Sequence, residues 1–372
     1  MPRGGKGTGI PKPRASREAV KKEVEEISGY REFLKAIPKT EIHVHLEGMA
    51  SIETIWSLIG KHRISIDGVN SPDDIRRRFR VKSLPEFIDL FLNVIQNSFR
   101  EEDDVRLLVD DARAYLKRNN IVYAEIHFAP TAFLRSGHRY DRLVSILDEG
   151  AAALAKDGLI VNYLVDVSRT FGADNAMRNL ELALDHRIPA VIGIGLGGQE
   201  AGGPARDFVA VFERARAEGL RVVAHAGEAV GPESVRDAVE ILGAERIGHG
   251  VSAMLDPSVV DLLERRRVPL EMCPSSNLFT GHFATTLRAH PIGPFFERGL
   301  RVTVNTDDPA IFGVDLLDEY ARLVSEGIFD EAQTLQLLKN GIYATFLPPE
   351  AQDRMWVAAR RAIERQGRNA PA

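Results

Sequence analysis

Residues 220–228, LRVVAHAGE, decide the architecture. Val222, Val223 and Ala224 are consecutive apolar residues, and the functional polar side chains arrive only at the C-terminal end, as His225 and Glu228. A strand with one wet face alternates apolar and polar residues, whereas a run without alternation belongs to a parallel strand covered on both faces. Related runs recur as TEIHVHL (40–46), NIVYAEIHFAP (120–130), LIVNYLVDVS (159–168), AVIGIGLGG (190–198), ERIGHGVS (245–252), VPLEMCPSSN (268–277) and LRVTVNTDDP (300–309). The segments between them have helical periodicity. After the first run, for example, Ile52, Ile55, Trp56 and Ile59 share one face behind Ser51, an N-cap residue. Eight strand–helix alternations predict an α/β fold, a single (β/α)8 TIM barrel. A doubly wound open sheet needs about the same alternation. The barrel is favoured because polar residues end strands throughout the series, and a barrel gathers those ends at one mouth.

The first connection, from Ser51 to about Asn119, is unusually long. It contains SLPEFIDLFLNVIQNSF (83–99), where Leu84, Phe87, Ile88 and Phe91 fall on adjacent helical turns. An amphipathic helix packed on the barrel accounts for this spacing. An insertion at the active-site rim is also where a lid belongs, so a helical lid after strand 1, gating the mouth with those four side chains, is the second reading.

Composition narrows the function. A formal charge of -5 and a pI near 6.1 lack the basic excess of a general nucleic-acid binder and point to a small or neutral partner. Cys273 is the only cysteine, which excludes an intrachain disulfide framework and any zinc module built on two cysteines. No run approaches the roughly 20 apolar residues of a membrane span and no apolar signal core opens the chain, so no membrane partner and a cytoplasmic location are expected. Residues 1–28, rich in Gly, Pro, Lys and Arg, are expected to form a flexible basic tail, with residues 29–366 as one domain.

Four clusters carry chemistry. His43 and His45 lie two apart on a strand and face one side, as a metal pair or as two hydrogen-bonded structural rings. His225 ends the fifth strand with Glu228 three residues on, and the small residues Ala226 and Gly227 between them allow a sharp turn. His249 sits between glycines that leave room for a ligand or metal-bound group. Asp307 and Asp308 end the eighth strand on opposite faces, so one suits a metal and the other a substrate; alone, they would read as an N-cap before Pro309. Together these clusters offer two histidines from strand 1, one from strand 5 and one aspartate from strand 8 as a mononuclear site. The ligand types suit zinc and also admit Fe(II), Co(II) or Mn(II). Glu228 and His249 remain beside it, the equipment of metal-assisted hydrolysis.

In this order PKTEIHVHLEG, HAGEAVGPES, RIGHG, CPSSN and NTDDP resemble the adenosine deaminase family of the amidohydrolase superfamily, over about residues 38 to 347. The resemblance implies one zinc per chain held by His43, His45, His225 and Asp307. It implies that Glu228 protonates purine N1, that His249 orients the attacking hydroxide, that Asp308 contacts N7 and that Gly198 binds N3 through its backbone. It also carries gate roles onto Leu84, Phe87, Ile88 and Phe91. The cytidine-type zinc deaminases are excluded, because their signature includes a pair of metal-binding cysteines.

Departures from the family pattern bear on substrate. Glu47 stands where most adenosine deaminases have the aspartate that helps bind ribose, and glutamate there is common in adenine deaminases. Gly248, Ser275 and the GPES segment are of the nucleoside type. GIGLGGQE replaces the common GIDLAGDE, so Gly195 and Gln199 stand for two acids, and His127 stands where arginine is usual. The expected activity is hydrolytic deamination of adenosine or 2'-deoxyadenosine, with aminodeoxyfutalosine deaminase and adenine deaminase as alternatives. A non-catalytic nucleoside-binding or signalling protein is the alternative of a different class. The small-molecule partner is a purine nucleoside; oligomeric state is left open.

Overall fold

A computed structural model describes residues 29–81 and 84–371, with the side chains of Leu84, Pro85 and Ile88 outside the described part. The tail expected at 1–28 therefore lies outside the described residues. Eight strands, β1 (Lys39–His45), β2 (Ile121–Phe128), β3 (Ile160–Asp166), β4 (Val191–Leu196), β5 (Arg221–Ala226), β6 (Arg246–His249), β7 (Leu270–Met272) and β8 (Val302–Val304), pair in parallel in sequence order. Just past β8, Asp307 forms a parallel bridge with Val44. His45 N donates to Asp307 O at 2.8 Å and Asp307 N to His43 O at 3.2 Å, which brings the last strand's extension back onto the first. The result is a nearly closed (β/α)8 barrel. The open-sheet alternative would leave two edges, and this contact joins them.

The long first connection holds helices Ile52–His62, Pro72–Arg78 and Val105–Asn119, with Leu84–Asp89 running into a π-helical stretch, Leu90–Gln96. Ser51 caps the first of these, its Oγ accepting from Thr54 N at 3.0 Å. Ile55 and Ile59 are buried in the core while Ile52 and Trp56 pack against it half-buried. A π-turn inserts a residue into the helical ladder and is common at functional sites; here it re-aims Phe91 and Leu92 towards the barrel mouth, where both line the cavity. No helix among the described residues is long and apolar enough to cross a membrane.

Candidate active site

The C-terminal ends of the strands converge on a cavity of about 410 Å³, within the usual range for small-molecule sites. His45, His225, Glu228, His249, Asp307, Asp308 and Gly198 all line it, together with Phe87 and Phe91 from the insertion. His43 lies directly beneath, fully buried. One ligand atom from each of His43, His45, His225 and Asp307 lies within 4.8 Å of the others. Sequence distances of up to 264 residues are thus closed by the barrel.

The donor atoms of this quartet have the form a cation requires. His45 Nε2 faces His225 Nε2 at 3.3 Å and Asp307 Oδ1 at 3.2 Å. His43 Nε2 is 3.5 Å from the same Asp307 oxygen and has no hydrogen-bond partner among the described residues. On its other side His43 Nδ1 donates to Glu271 Oε2 at 2.7 Å, which leaves the Nε2 lone pair aimed inward. Burial disfavours protonation of His43 and His45, but the Asp307 carboxylate close to both rings, and Glu271 bonded to His43, outweigh it. The rings are pushed up to about 9 and about 10. Asp307 is correspondingly held well below the usual carboxylate range, because the same two contacts overcome its burial. The cluster demands positive charge, and its residue types are those that bind zinc.

Asp307 and His249 both adopt left-handed backbone angles, with φ of 67° and 63°. Such conformations cost about 1–3 kcal/mol each and concentrate at functional sites. Asp307 Oδ2 accepts from Ser276 Oγ at 2.7 Å. Asp308 does not act as a side-chain cap for the short helix Pro309–Phe312. Its Oδ1 is buried without a partner, and burial together with Asp307 pushes its carboxyl up to about 8. Gly48 makes this packing possible, since a Cβ there would lie 2.2 Å from Asp308 Oδ1.

His249 is set by residues that no local motif signals. Ile292 N donates to His290 Nδ1 at 3.2 Å, so His290 presents Nε2–H to Asn277 Oδ1 at 3.1 Å. Asn277 Nδ2 then donates to His249 Nδ1 at 3.0 Å. A backbone amide at one end thereby fixes the tautomer at the other, and His249 carries its proton on Nε2, 3.5 Å from Glu228 Oε2. Burial lowers both rings to about 3, keeping them neutral. Glu228 is pushed up to about 8, first by burial and then by Asp307. Its loop is held by Glu200, whose carboxylate accepts from the backbone N of Gly227 (2.5 Å), Glu228 (3.1 Å), Ala229 (2.8 Å) and Val230 (3.3 Å). The final E of GIGLGGQE is thus a scaffold for the HAGE turn.

Several sequence expectations meet a different arrangement. The room beside Gly248 serves His43, since a Cβ there would lie 2.5 Å from His43 Cε1; it does not serve a ligand. Ser275 is off the cavity wall, its Oγ taken by Arg322 and its N by Glu319. Glu47 is fully buried, accepts from Ala129 N at 3.3 Å and does not line the cavity. The lid side chains Leu84 and Ile88 lie outside the described residues. Phe87 stacks on Phe312 with ring centroids 5.9 Å apart and on Phe91 at 5.8 Å, and Phe279 meets Phe312 at 5.3 Å.

A (β/α)8 barrel with a histidine–carboxylate cluster at its C-terminal mouth defines the class: a hydrolase of the amidohydrolase kind. A family model described as adenosine deaminase matches residues 38–358. The chain is 36% identical over 326 residues to the aminodeoxyfutalosine deaminase of Streptomyces avermitilis, covering 87% of this chain and 90% of that one. It is 32% identical over 329 residues to the adenosine deaminase of Shewanella loihica, covering 87% and 98%. Among solved structures, the adenine deaminase of Arthrobacter aurescens superposes with a TM-score of 0.83 at 29% identity, over 88% of this chain and 99% of that one. The chain belongs to the adenosine deaminase family of the amidohydrolase superfamily and is a hydrolytic deaminase acting on C–N bonds.

Proposed function

We propose that this protein is a zinc-dependent deaminase of 6-aminopurine nucleosides, converting adenosine or 2'-deoxyadenosine to the 6-oxo product with release of ammonia. The observation that carries this reading is the cavity wall. Glu228, His249, Asp307 and Asp308 line it together with the rings of Phe87, Phe91, Phe279 and Phe312, with no lysine or arginine among the described lining residues. An uncharged purine with a sugar suits that wall better than a nucleotide, whose phosphates call for cationic partners.

His43, His45, His225 and Asp307 would hold the zinc, which when bound would supply a water acidified towards neutrality as the attacking oxygen. The unpartnered His43 Nε2 and the facing His45 and His225 nitrogens are the observations that fit it. Glu228, still protonated near neutral pH, donates its proton to N1 as the water oxygen adds to C6. His249 directs Nε2–H at that oxygen and orients it. Asp308 meets N7, and the backbone of Gly198 meets N3. The adduct's O–H proton would then pass through the Glu228 carboxylate to the C6 amino nitrogen, so that the C6–N bond breaks with loss of NH3 as C6=O forms.

A second reading, aminodeoxyfutalosine, is favoured by the relative of that name at 36% identity, and the phenylalanine rings lining the cavity would suit an apolar extension on the sugar. The test is a panel of kcat/KM values for adenosine, 2'-deoxyadenosine, adenine, aminodeoxyfutalosine and AMP, since specificity is a ratio of those constants. Nucleosides are expected to exceed adenine and AMP. Preference for adenine or AMP would refute the nucleoside assignment.

A further inference from the structure

The carboxylate that sequence comparison offers for the sugar, Glu47, is buried behind the cavity wall. Another acid, Asp166 at the end of β3, lines the cavity. Asp166, Ser168 and Thr170 follow one another at two-residue steps, and all three face the cavity. Asp166 Oδ1 accepts from Gly197 N at 3.0 Å, and Thr170 Oγ1 from Gln199 N at 3.0 Å. These two bonds clamp the Gly197–Gln199 turn, whose middle residue Gly198 is the group proposed to meet purine N3. Purine N3 is flanked by C4, which is bonded to the sugar-bearing N9, so the side of the cavity next to Gly198 is the sugar's side. Asp166 Oδ2 has no hydrogen bond among the described residues, and an ionised carboxylate accepts but does not donate.

The neighbouring strand explains why an acid is found on β3. Asp166 is in register with Gly195 of β4. A Cβ at Gly195 would lie 2.7 Å from the His127 ring, so that ring fills the place a β4 side chain would take. We infer that Asp166 is a specificity residue, accepting a hydrogen bond from a ribose hydroxyl through Oδ2 in the position that Glu47 does not reach. The inference rests on the nucleoside reading.

The test compares wild type, Asp166→Ala, Asp166→Asn and Glu47→Gln on adenosine and its 2'-, 3'- and 5'-deoxy analogues, with adenine as the sugar-free control. Compounds that are not turned over are measured as competitive inhibitors of whichever nucleoside the wild type deaminates. A hydrogen bond to a charged group is worth roughly 10- to 100-fold. Asp166→Ala is expected to lose that factor on adenosine, mainly in KM, over and above a smaller loss shared by adenine and by the one analogue lacking the contacted hydroxyl, which reports release of the Gly197–Gln199 turn. Zinc content should stay at the wild-type level and Tm should fall slightly in Asp166→Ala; Asp166→Asn, which keeps an acceptor for Gly197 N, should keep the wild-type Tm and lose part of the adenosine factor without the shared loss. Equal losses across all analogues and adenine, or loss of zinc, would overturn the inference and make Asp166 structural, as would Glu47→Gln erasing the hydroxyl discrimination instead. If the wild type acted on no nucleoside, the proposed function itself would fail, a result separate from any Asp166 effect.

Discussion

Two buried clusters of charged side chains occupy opposite ends of this barrel, and they differ in how completely their polar atoms are used. Towards the N-terminal end, Arg246 lies between Glu125 and Glu271, donates to Ala344 O at 3.0 Å and stacks 3.8 Å over the Phe346 ring. Tyr123 donates to Glu125 at 2.7 Å, Tyr115 to Glu41 at 2.7 Å, and Lys39 Nζ to the carbonyls of Leu34 and Ile37 at 2.7 and 2.6 Å. None of these side chains has a buried polar atom left without a partner. At the mouth, by contrast, His43 Nε2, His225 Nδ1, Glu47 Oε2 and Asp308 Oδ1 are buried and unpartnered. Each such atom costs roughly 1–3 kcal/mol unless something binds it. Burial of charge alone therefore does not mark a catalytic centre; several unspent polar atoms gathered around one cavity do, whereas single ones such as Tyr30 Oη, Arg113 Nε and Tyr140 Oη occur elsewhere among the described residues. The clusters meet at one residue, Glu271, which takes Arg246 on one oxygen and His43 on the other.

The contrast predicts that variants at the mouth lose activity while variants at the other end lose stability. The largest effect is expected for Glu228→Gln, which removes the proposed proton donor: kcat should fall by about 10²–10⁴, with zinc content and Tm nearly unchanged. Next is Arg246→Met, which strands two buried carboxylates. Denaturant unfolding should show a loss of about 3–5 kcal/mol, and residual folded enzyme should keep its substrate preference. Asn277→Ala is intermediate, since it frees the His249 tautomer without touching the metal ligands. A loss of about 10- to 100-fold in kcat is expected, with normal zinc affinity. The smallest effect belongs to Phe87→Ala, which trims the cavity wall and should raise KM several-fold with little change in kcat. If Arg246→Met were stable, or Glu228→Gln unfolded, the division between the two ends would be wrong.

Much of this was readable in the chain. Unbroken apolar runs such as Val222–Ala224 mark covered parallel strands, and the polar residue closing each run marks the mouth, so all eight strands and the quartet His43, His45, His225 and Asp307 can be placed before any coordinates are known. Positioning residues were hidden for a physical reason: their partners are distant in sequence. Nothing local in RIPAVIGIGLGGQE indicates that Glu200 will accept from four amides after β5, or that His290 will reach Asn277 and through it His249. The space at the two glycines beside His249 is not open to a ligand, because side chains from other strands fill it: His43 of β1 at Gly248 and Leu270 of β7 at Gly250. His127 stood out in the sequence, and its packing against Gly195 shows why one departure from the family pattern accompanies the other.

The most direct test of the central claim, that the unspent ligand atoms at the mouth make a metal-dependent deaminase, is adenosine deamination followed by ultraviolet absorbance during stepwise zinc removal and return. The account predicts about one zinc per chain, loss of turnover and a lowered Tm on chelation, and recovery of both at one equivalent of zinc. Full turnover by protein shown to be free of metal would contradict it.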